Sequence, residues 1–319
     1  MTRPSARVGP AAGRSTALPL LAVAVTLLLW SSAFVAIRHL GHSFSPGSLS
    51  LGRLLVGSVA LGVVLLTRGW AAPSRRDWLG LVAIGVLWFG LYNVALNAGE
   101  RRVDAGTAAM LIQISPVLVA VLAAVFLKEK ATPMLGIGLL VAFTGVVLIA
   151  TSTSGNGSRD PVGVLLCLVA AAAYAVSLIL QKPLVSRLSA IEVTWVACTV
   201  GAIACLPFAG SLVQDTADAS AGDVAWVVYL GVFPTAIAFS TYAFALASMT
   251  AGNLSVTTYL VPPITVLLSW VLLSEVPPAM AYVGGALCLV GVALARRHPG
   301  PRVPDGPAGR HDGGQVSSL

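Results

Sequence analysis

Residues 105–129 read AGTAAMLIQISPVLVAVLAAVFLKE, and residues 251–275 read AGNLSVTTYLVPPITVLLSWVLLSE. At an offset of 146 they superpose Ala105-Gly106 on Ala251-Gly252, Pro116 on Pro262 and Glu129 on Glu275. Carried outward, the same offset sets Asp77 on Asp223, Gly85 on Gly231, Gly138 on Gly284 and Gly145 on Gly291. Nearer the N-terminus the offset is 144, and Trp30 falls on Tyr174, Arg38 on Lys182 and Ser45 on Ser189. Helix punctuation that recurs in one register across two halves marks an internal duplication.

The solvent of that duplication follows from composition. Of 319 residues, 57% are hydrophobic and 10% charged, against about 25% charged in an average soluble domain. Mean hydropathy is +0.89. Such a chain cannot supply a polar shell, so a single soluble enzyme, a disordered protein and a secreted disulfide scaffold are excluded. Apolar runs lie near 18–37, 46–67, 78–99, 105–127, 133–151, 161–181, 191–210, 224–247, 253–273 and 279–295. Each is close to the roughly 20 residues that carry a helix across the hydrocarbon. The runs are twice the length of barrel strands and do not alternate. The expectation is an all-α integral membrane protein of ten transmembrane helices. Its parts are a basic tail (1–17), a first five-helix repeat (18–151), a second (161–295) and a disordered tail (296–319). The first run has the basic flank of a signal peptide, but it has a partner later in the chain and is read as a span.

The net charge of +7 does not point to nucleic acid, because the cations sit between apolar runs and at the ends. They report topology. With both termini, the even-numbered loops and the tails on one side, that side holds fourteen Lys and Arg and the other four, with Arg53 inside a span. Both termini are therefore expected in the cytoplasm, in the plasma (inner) membrane. Five spans per half is an odd number, so the second half enters the bilayer from the opposite side. Glu129 is then cytoplasmic and Glu275 external. Such inverted repeats place a site near the midplane between the halves.

The Ala-Gly…Pro…Glu pattern in each half, the Trp30-Ser31-Ser32-Ala33-Phe34 stretch and Arg53 resemble the EamA-type branch of the drug/metabolite transporter superfamily. The resemblance covers about residues 18–296. It implies a ten-helix fold and a central cavity lined mainly by spans 1, 3, 4, 6, 8 and 9. It also implies export of amino acids and related metabolites. The second half departs from the pattern where Ala197 replaces the Arg53 equivalent and where Pro262-Pro263 are doubled.

Candidate residues follow from what lipid tolerates. Pro116 and Pro262 each remove a backbone donor and push away the carbonyl four residues earlier, at Ile112 and Thr258. Freed carbonyls at that depth must be buried in protein or face a watery cavity, and the symmetric placement favours cavity-lining kinks. Gln113 and Tyr259 are twins one turn before the prolines. Asn93 and Asn97 share a helical face. Trp30, Trp88, Tyr92, Tyr174, Thr241 and Tyr242 add aromatic and hydroxyl groups. Taken singly these are packing and interhelical hydrogen bonds; as a set they suit a pocket for a small polar-apolar molecule.

The twelve carboxylates all avoid the middle of a span. Glu129 and Glu275 are placed at helix ends as gating or capping groups, and protons are carried forward as a candidate coupling ion. The sequence holds no cofactor or metal motif, no P-loop and no HExxH or GxSxG. An intramembrane enzyme is therefore disfavoured. A lipid-linked-intermediate flippase or nucleotide-sugar carrier would need more cavity cations than Arg53, and a non-transporting scaffold would need no symmetric kinks. Glycine pairs in spans 5 and 10 allow close helix approach, within the bundle or across a homodimer. Arg53 has two readings: it binds a substrate carboxylate, or it braces span 2. An efflux assay separates them, because Arg53→Ala lowers the yield of folded protein if it braces and raises KM with folding intact if it binds.

Overall fold

The computed structural model describes residues 17–68, 72–102, 111–153, 160–273 and 279–295. Ala105, Gly106, Glu275 and both tails lie outside them. The helices are α1 (Ala17–Leu40), α2 (Pro46–Arg68), α3 (Arg75–Glu100), α4 (Ser115–Phe126), α5 (Pro133–Thr153), α6 (Pro161–Leu184), α7 (Ala190–Ala204), α8 (Ala209–Asp218), α9 (Ala221–Ser248), α10 (251–273) and α11 (Ala279–Ala295). No strand occurs among the described residues. Five helices (within α1, and α2, α3, α6 and α9) are long and apolar enough to cross a membrane. Shorter apolar helices cover Ser115–Phe126, Pro133–Gly145 and Tyr282–Ala295.

The seventh expected span differs from its straight reading over 191–210. Helix α7 stops at Ala204, and the chain turns through 53° into Leu206–Asp218. Pro207 explains the stop, since it lacks the N–H that would continue the ladder. Asp215 on the turned segment accepts from Ser45 N–H at 2.8 Å and from the Ser48 hydroxyl, tying it to the start of α2.

The two halves repeat in detail. Ser74 and Asp77 form a capping box at α3, while at the twin position Ser220 accepts the Asp223 N–H at α9. Both α3 and α9 then widen into π-helical turns, at Gly85–Tyr92 and Gly231–Ile237. Side chains take up the slack: Asn93 Nδ2 donates to Phe89 O at 2.8 Å, and Thr235 Oγ1 donates to Leu230 O at 2.8 Å.

Twin helices also meet each other. Cys198 Sγ donates to Leu54 O at 3.3 Å, and Trp195 Nε1 donates to Ser58 O at 3.1 Å. Partner numbers on α7 fall as those on α2 rise, so the twins α2 and α7 run antiparallel. The twins α5 and α11 do the same. A methyl on Gly138 would lie 2.5 Å from Gly291 O, and one on Gly145 would lie 2.5 Å from Gly284 O. Those glycine faces are thus used within one chain. The exchange holds at a second contact: a Cβ on Gly85 would sit 2.6 Å from Val200 Cβ, and one on Gly231 would sit 2.5 Å from Val56 Cβ, Val56 and Val200 being twins.

Overpacking of a tight core costs about 1–3 kcal/mol, so Gly85→Leu and Gly231→Leu are each expected to lower the monodisperse peak in fluorescence-detected gel filtration. Gly136→Leu, at a position with nothing within 4 Å, is expected to leave the peak unchanged.

Candidate functional site

The aromatic residues singled out in the sequence converge. Trp30 (α1) lies 4.8 Å from Tyr242 and 5.4 Å from Phe239 (α9), ring centre to ring centre. Trp88 (α3) lies 5.0 Å from Phe239 and 5.1 Å from Tyr174 (α6). Tyr92 joins at 6.3 Å from Tyr174. The hydroxyls of Tyr174 and Tyr242 share a 2.6 Å hydrogen bond. Trp88 and Tyr242 are fully enclosed, whereas Trp30 and Tyr92 are half-buried. The Trp30 indole N–H is buried with no partner among the described residues. Four helices from both halves thus bring five predicted residues to one place. Phe89 and Phe239, 4.5 Å apart, complete the cluster. The sequence reading missed them, because a phenylalanine in an apolar run carries no signal of its own.

Thr241 has a bridging role. Its hydroxyl meets Thr26 Oγ1 of α1 at 2.8 Å. Asn93 turns to its own helix, as described above, rather than outward with Asn97.

Both prolines are followed to their freed carbonyls. Ile112 O accepts the Ser115 hydroxyl at 2.5 Å, and Thr258 O accepts Gln113 Nε2 at 3.0 Å. The chain is a non-helical turn at Gln113–Ile114 and a 3-10 segment at Val256–Leu260, so twin stretches just before Pro116 and Pro262 both depart from α geometry. Gln113 fastens the two stretches together across the halves. Tyr259 instead packs with Leu135, Leu139, Ala142, Cys288 and Val292, between α5 and α11. It is fully buried, and its hydroxyl has no partner among the described residues.

Arg53 is 5% exposed. Its Nε donates to Thr235 Oγ1 at 3.0 Å, and its two terminal amino groups make no hydrogen bond to the described residues. Asn97 is 4% exposed; its Nδ2 donates to Ser50 Oγ at 3.1 Å and Pro46 O at 3.4 Å, both on α2.

At the opposite end of the bundle, α4 ends with Lys128 in the left-handed region (φ 55°), a conformation that favours glycine. That turn delivers Glu129 to the start of α10, where its carboxylate accepts Ala251 N–H at 2.9 Å and Gly252 N–H at 3.2 Å. Nearby, Lys182 Nζ donates to Leu246 O at 2.6 Å and to Met249 O, capping α9. An anion at a helix start and a cation at a helix end both suit the helix dipole. Among the described residues no cluster of His, Cys, Asp and Glu has the makings of a metal site.

The pattern of the EamA-like transporter family matches this sequence twice, at residues 17–151 and 161–297. The chain belongs to that family. It is a multi-pass membrane protein of the drug/metabolite transporter type. A relative from Streptantibioticus cattleyicolor, named a probable terminal-alkyne amino-acid exporter, is 38% identical over 86% of this chain and 92% of its own length. The Bacillus subtilis protein named uncharacterized transporter YdfC is 29% identical over 83% of this chain and 87% of its own. A solved crystal structure superposes with a TM-score of 0.73 at 21% identity, covering 88% of this chain and 97% of that one; at that identity it shows a shared fold.

Loss of the Glu129 cap is expected to cost about 1–2 kcal/mol, in the range of other helix-start anions. Glu129→Ala should lower the thermal unfolding midpoint of the purified protein in detergent, and Glu129→Gln, which keeps one acceptor, should lower it less.

Proposed function

We propose that this EamA-family chain is a ten-helix inverted-repeat secondary transporter. It exports amino acids or related small metabolites across the plasma membrane by alternating access, with both termini in the cytoplasm. The observation that carries the reading is the antiparallel packing of α2 on α7 and of α5 on α11. Helices related by the sequence repeat run in opposite directions at their own contact, as halves of opposite membrane orientation must. Two like halves of opposite orientation can rock between inward-open and outward-open states of similar energy.

The site residues support the reading by position. Trp30, Trp88, Tyr92, Tyr174 and Tyr242 come from α1, α3, α6 and α9, which belong to both halves. A small molecule held among them would touch both moving bodies. Gln113 and the prolines Pro116 and Pro262 sit where α4 and α10 lose regular geometry. Discontinuous helices are where a membrane protein can offer backbone groups to a solute. Thr258 belongs to the same seam through its bond with Gln113, and Thr241 ties α9 to α1 through Thr26. Glu129 sits at the start of α10 as a closing group. The name of the Streptantibioticus relative supports an amino-acid cargo. The chain performs no chemistry on that cargo in this reading, and it needs no cofactor.

The test is flux. Cells carrying the gene should release more of at least one amino acid or related metabolite than cells without it. The purified protein should then exchange that solute across liposomes. Faster exchange under an imposed proton gradient marks antiport, and equal rates mark facilitated export. No effect on any solute in cells or liposomes would overturn the proposal.

A further inference from the structure

The repeat that shapes the bundle is broken at one polar cluster. Arg53 and Ser50 lie on α2, with Asn97 and Glu100 on α3. Their twins are Ala197, Thr194, Ala243 and Leu246. One half thus carries a cation, an amide and a carboxylate where the other carries small or apolar side chains and a hydroxyl.

The cluster has groups left over. The Asn97 amide is oriented by its partners: Pro46 O can only accept, and the Ser50 hydroxyl already donates to that same carbonyl at 2.7 Å. Nδ2 must therefore face α2, which leaves Oδ1 on the other side. That oxygen is buried and has no partner among the described residues. A buried amide oxygen without a donor is destabilising until a donor reaches it. Arg53 is committed only through Nε, and Thr235, which receives that bond, is itself fixed on Leu230 O. The terminal amino groups thus form an oriented fork held in place from behind. Glu100, one turn beyond Asn97, is an electrostatic neighbour of both Arg53 and Tyr92, and Tyr92 connects the cluster to the aromatic residues.

Resting on the transport reading above, we infer that this cluster binds the zwitterionic head of an α-amino acid. The Arg53 fork takes the carboxylate, a planar match that favours guanidinium over ammonium. Asn97 Oδ1 accepts from the substrate ammonium, within the field of Glu100. The substrate side chain then extends past Tyr92 toward Trp88 and Tyr174. Because the twin positions hold no charge, the head-group site exists in one half only. The charge bias places that half of α2 and α3 outside, so the site acts at the external end of the path.

The test uses the full-length protein in nanodiscs and the common L-amino acids as probes. For the tightest binder, the methyl ester removes the carboxylate charge and the N-acetyl form removes the ammonium. Wild type should bind both derivatives at least about tenfold more weakly, the worth of one charge-assisted hydrogen bond. Arg53→Gln should weaken the free amino acid by about as much and abolish the preference over the ester. Asn97→Leu should weaken the free amino acid and leave the N-acetyl form unchanged. If Arg53→Gln does not fold, Asn97→Leu and the wild-type ligand series still decide. Amino-acid flux with wild-type ligand preferences in Asn97→Leu would overturn this site and leave the transport reading standing. No binding or flux of any amino acid by the wild type, with another metabolite carried, would overturn the zwitterion site alone. No flux of any solute would overturn both.

Discussion

Hydrocarbon offers no hydrogen bond to a peptide group, and that constraint organises the described bundle. An unbroken helix meets it internally. Several departures from α geometry are met by particular side chains, while the break after Ala204 is closed by backbone bonds from Cys205 N–H to Gly201 O and from Phe208 N–H to Cys205 O. Asn93 and Thr235 take carbonyls in the two π-helical stretches. Ser115 and Gln113 take the carbonyls opened by the two prolines. Glu129 and Lys182 close helix ends on opposite partners. In a chain that is 57% hydrophobic, several of the buried polar residues thus stand where the backbone changes shape.

The same side chains connect the halves. Gln113 belongs to the first half and Thr258 to the second, so the bond between them ties together the two irregular stretches. Tyr174 and Tyr242 close the aromatic cluster beneath Trp30. Around these contacts the glycine faces are reciprocal: what Gly85 meets on Val200, Gly231 meets on Val56. In the proposed alternating-access mechanism, such reciprocity would give the two states similar packing. The Arg53–Asn97 cluster interrupts it, since the twin positions hold Ala197 and Ala243.

Much of the fold was legible because it depends on punctuation. Proline and glycine stand out even in apolar sequence and set the offset of the repeat, and the apolar runs read from 46, 133 and 161 coincide with helix starts at Pro46, Pro133 and Pro161. The aromatic cluster was legible where residues were rare, at Trp30, Trp88 and Tyr174. It was illegible at Phe89 and Phe239, whose importance comes only from what faces them. Asn93 and Asn97 looked alike from their spacing. They share one α-helical stretch that begins where the π-helical turn ends, and their roles differ by partner: Asn93 reaches back to Phe89 O, whereas Asn97 reaches Ser50 on α2. Tyr259, the twin of Gln113, was grouped with the cavity, yet it packs on Phe143 and Cys288 between α5 and α11. A twin position conserves depth, not the neighbour. Thr235, which orients Arg53, could have been found by asking what stands at the twin of Phe89, since a hydroxyl replacing a ring in a π-helical turn is unexpected.

The central claim is that the two halves are oriented oppositely across the bilayer. Ser74 and Ser220 report on it most directly, because they are the twin N-caps of α3 and α9, and the four native cysteines are buried. A membrane-impermeant maleimide should label Ser220→Cys in intact cells and Ser74→Cys only after the membrane is opened. Labelling of both from the same side would contradict the account.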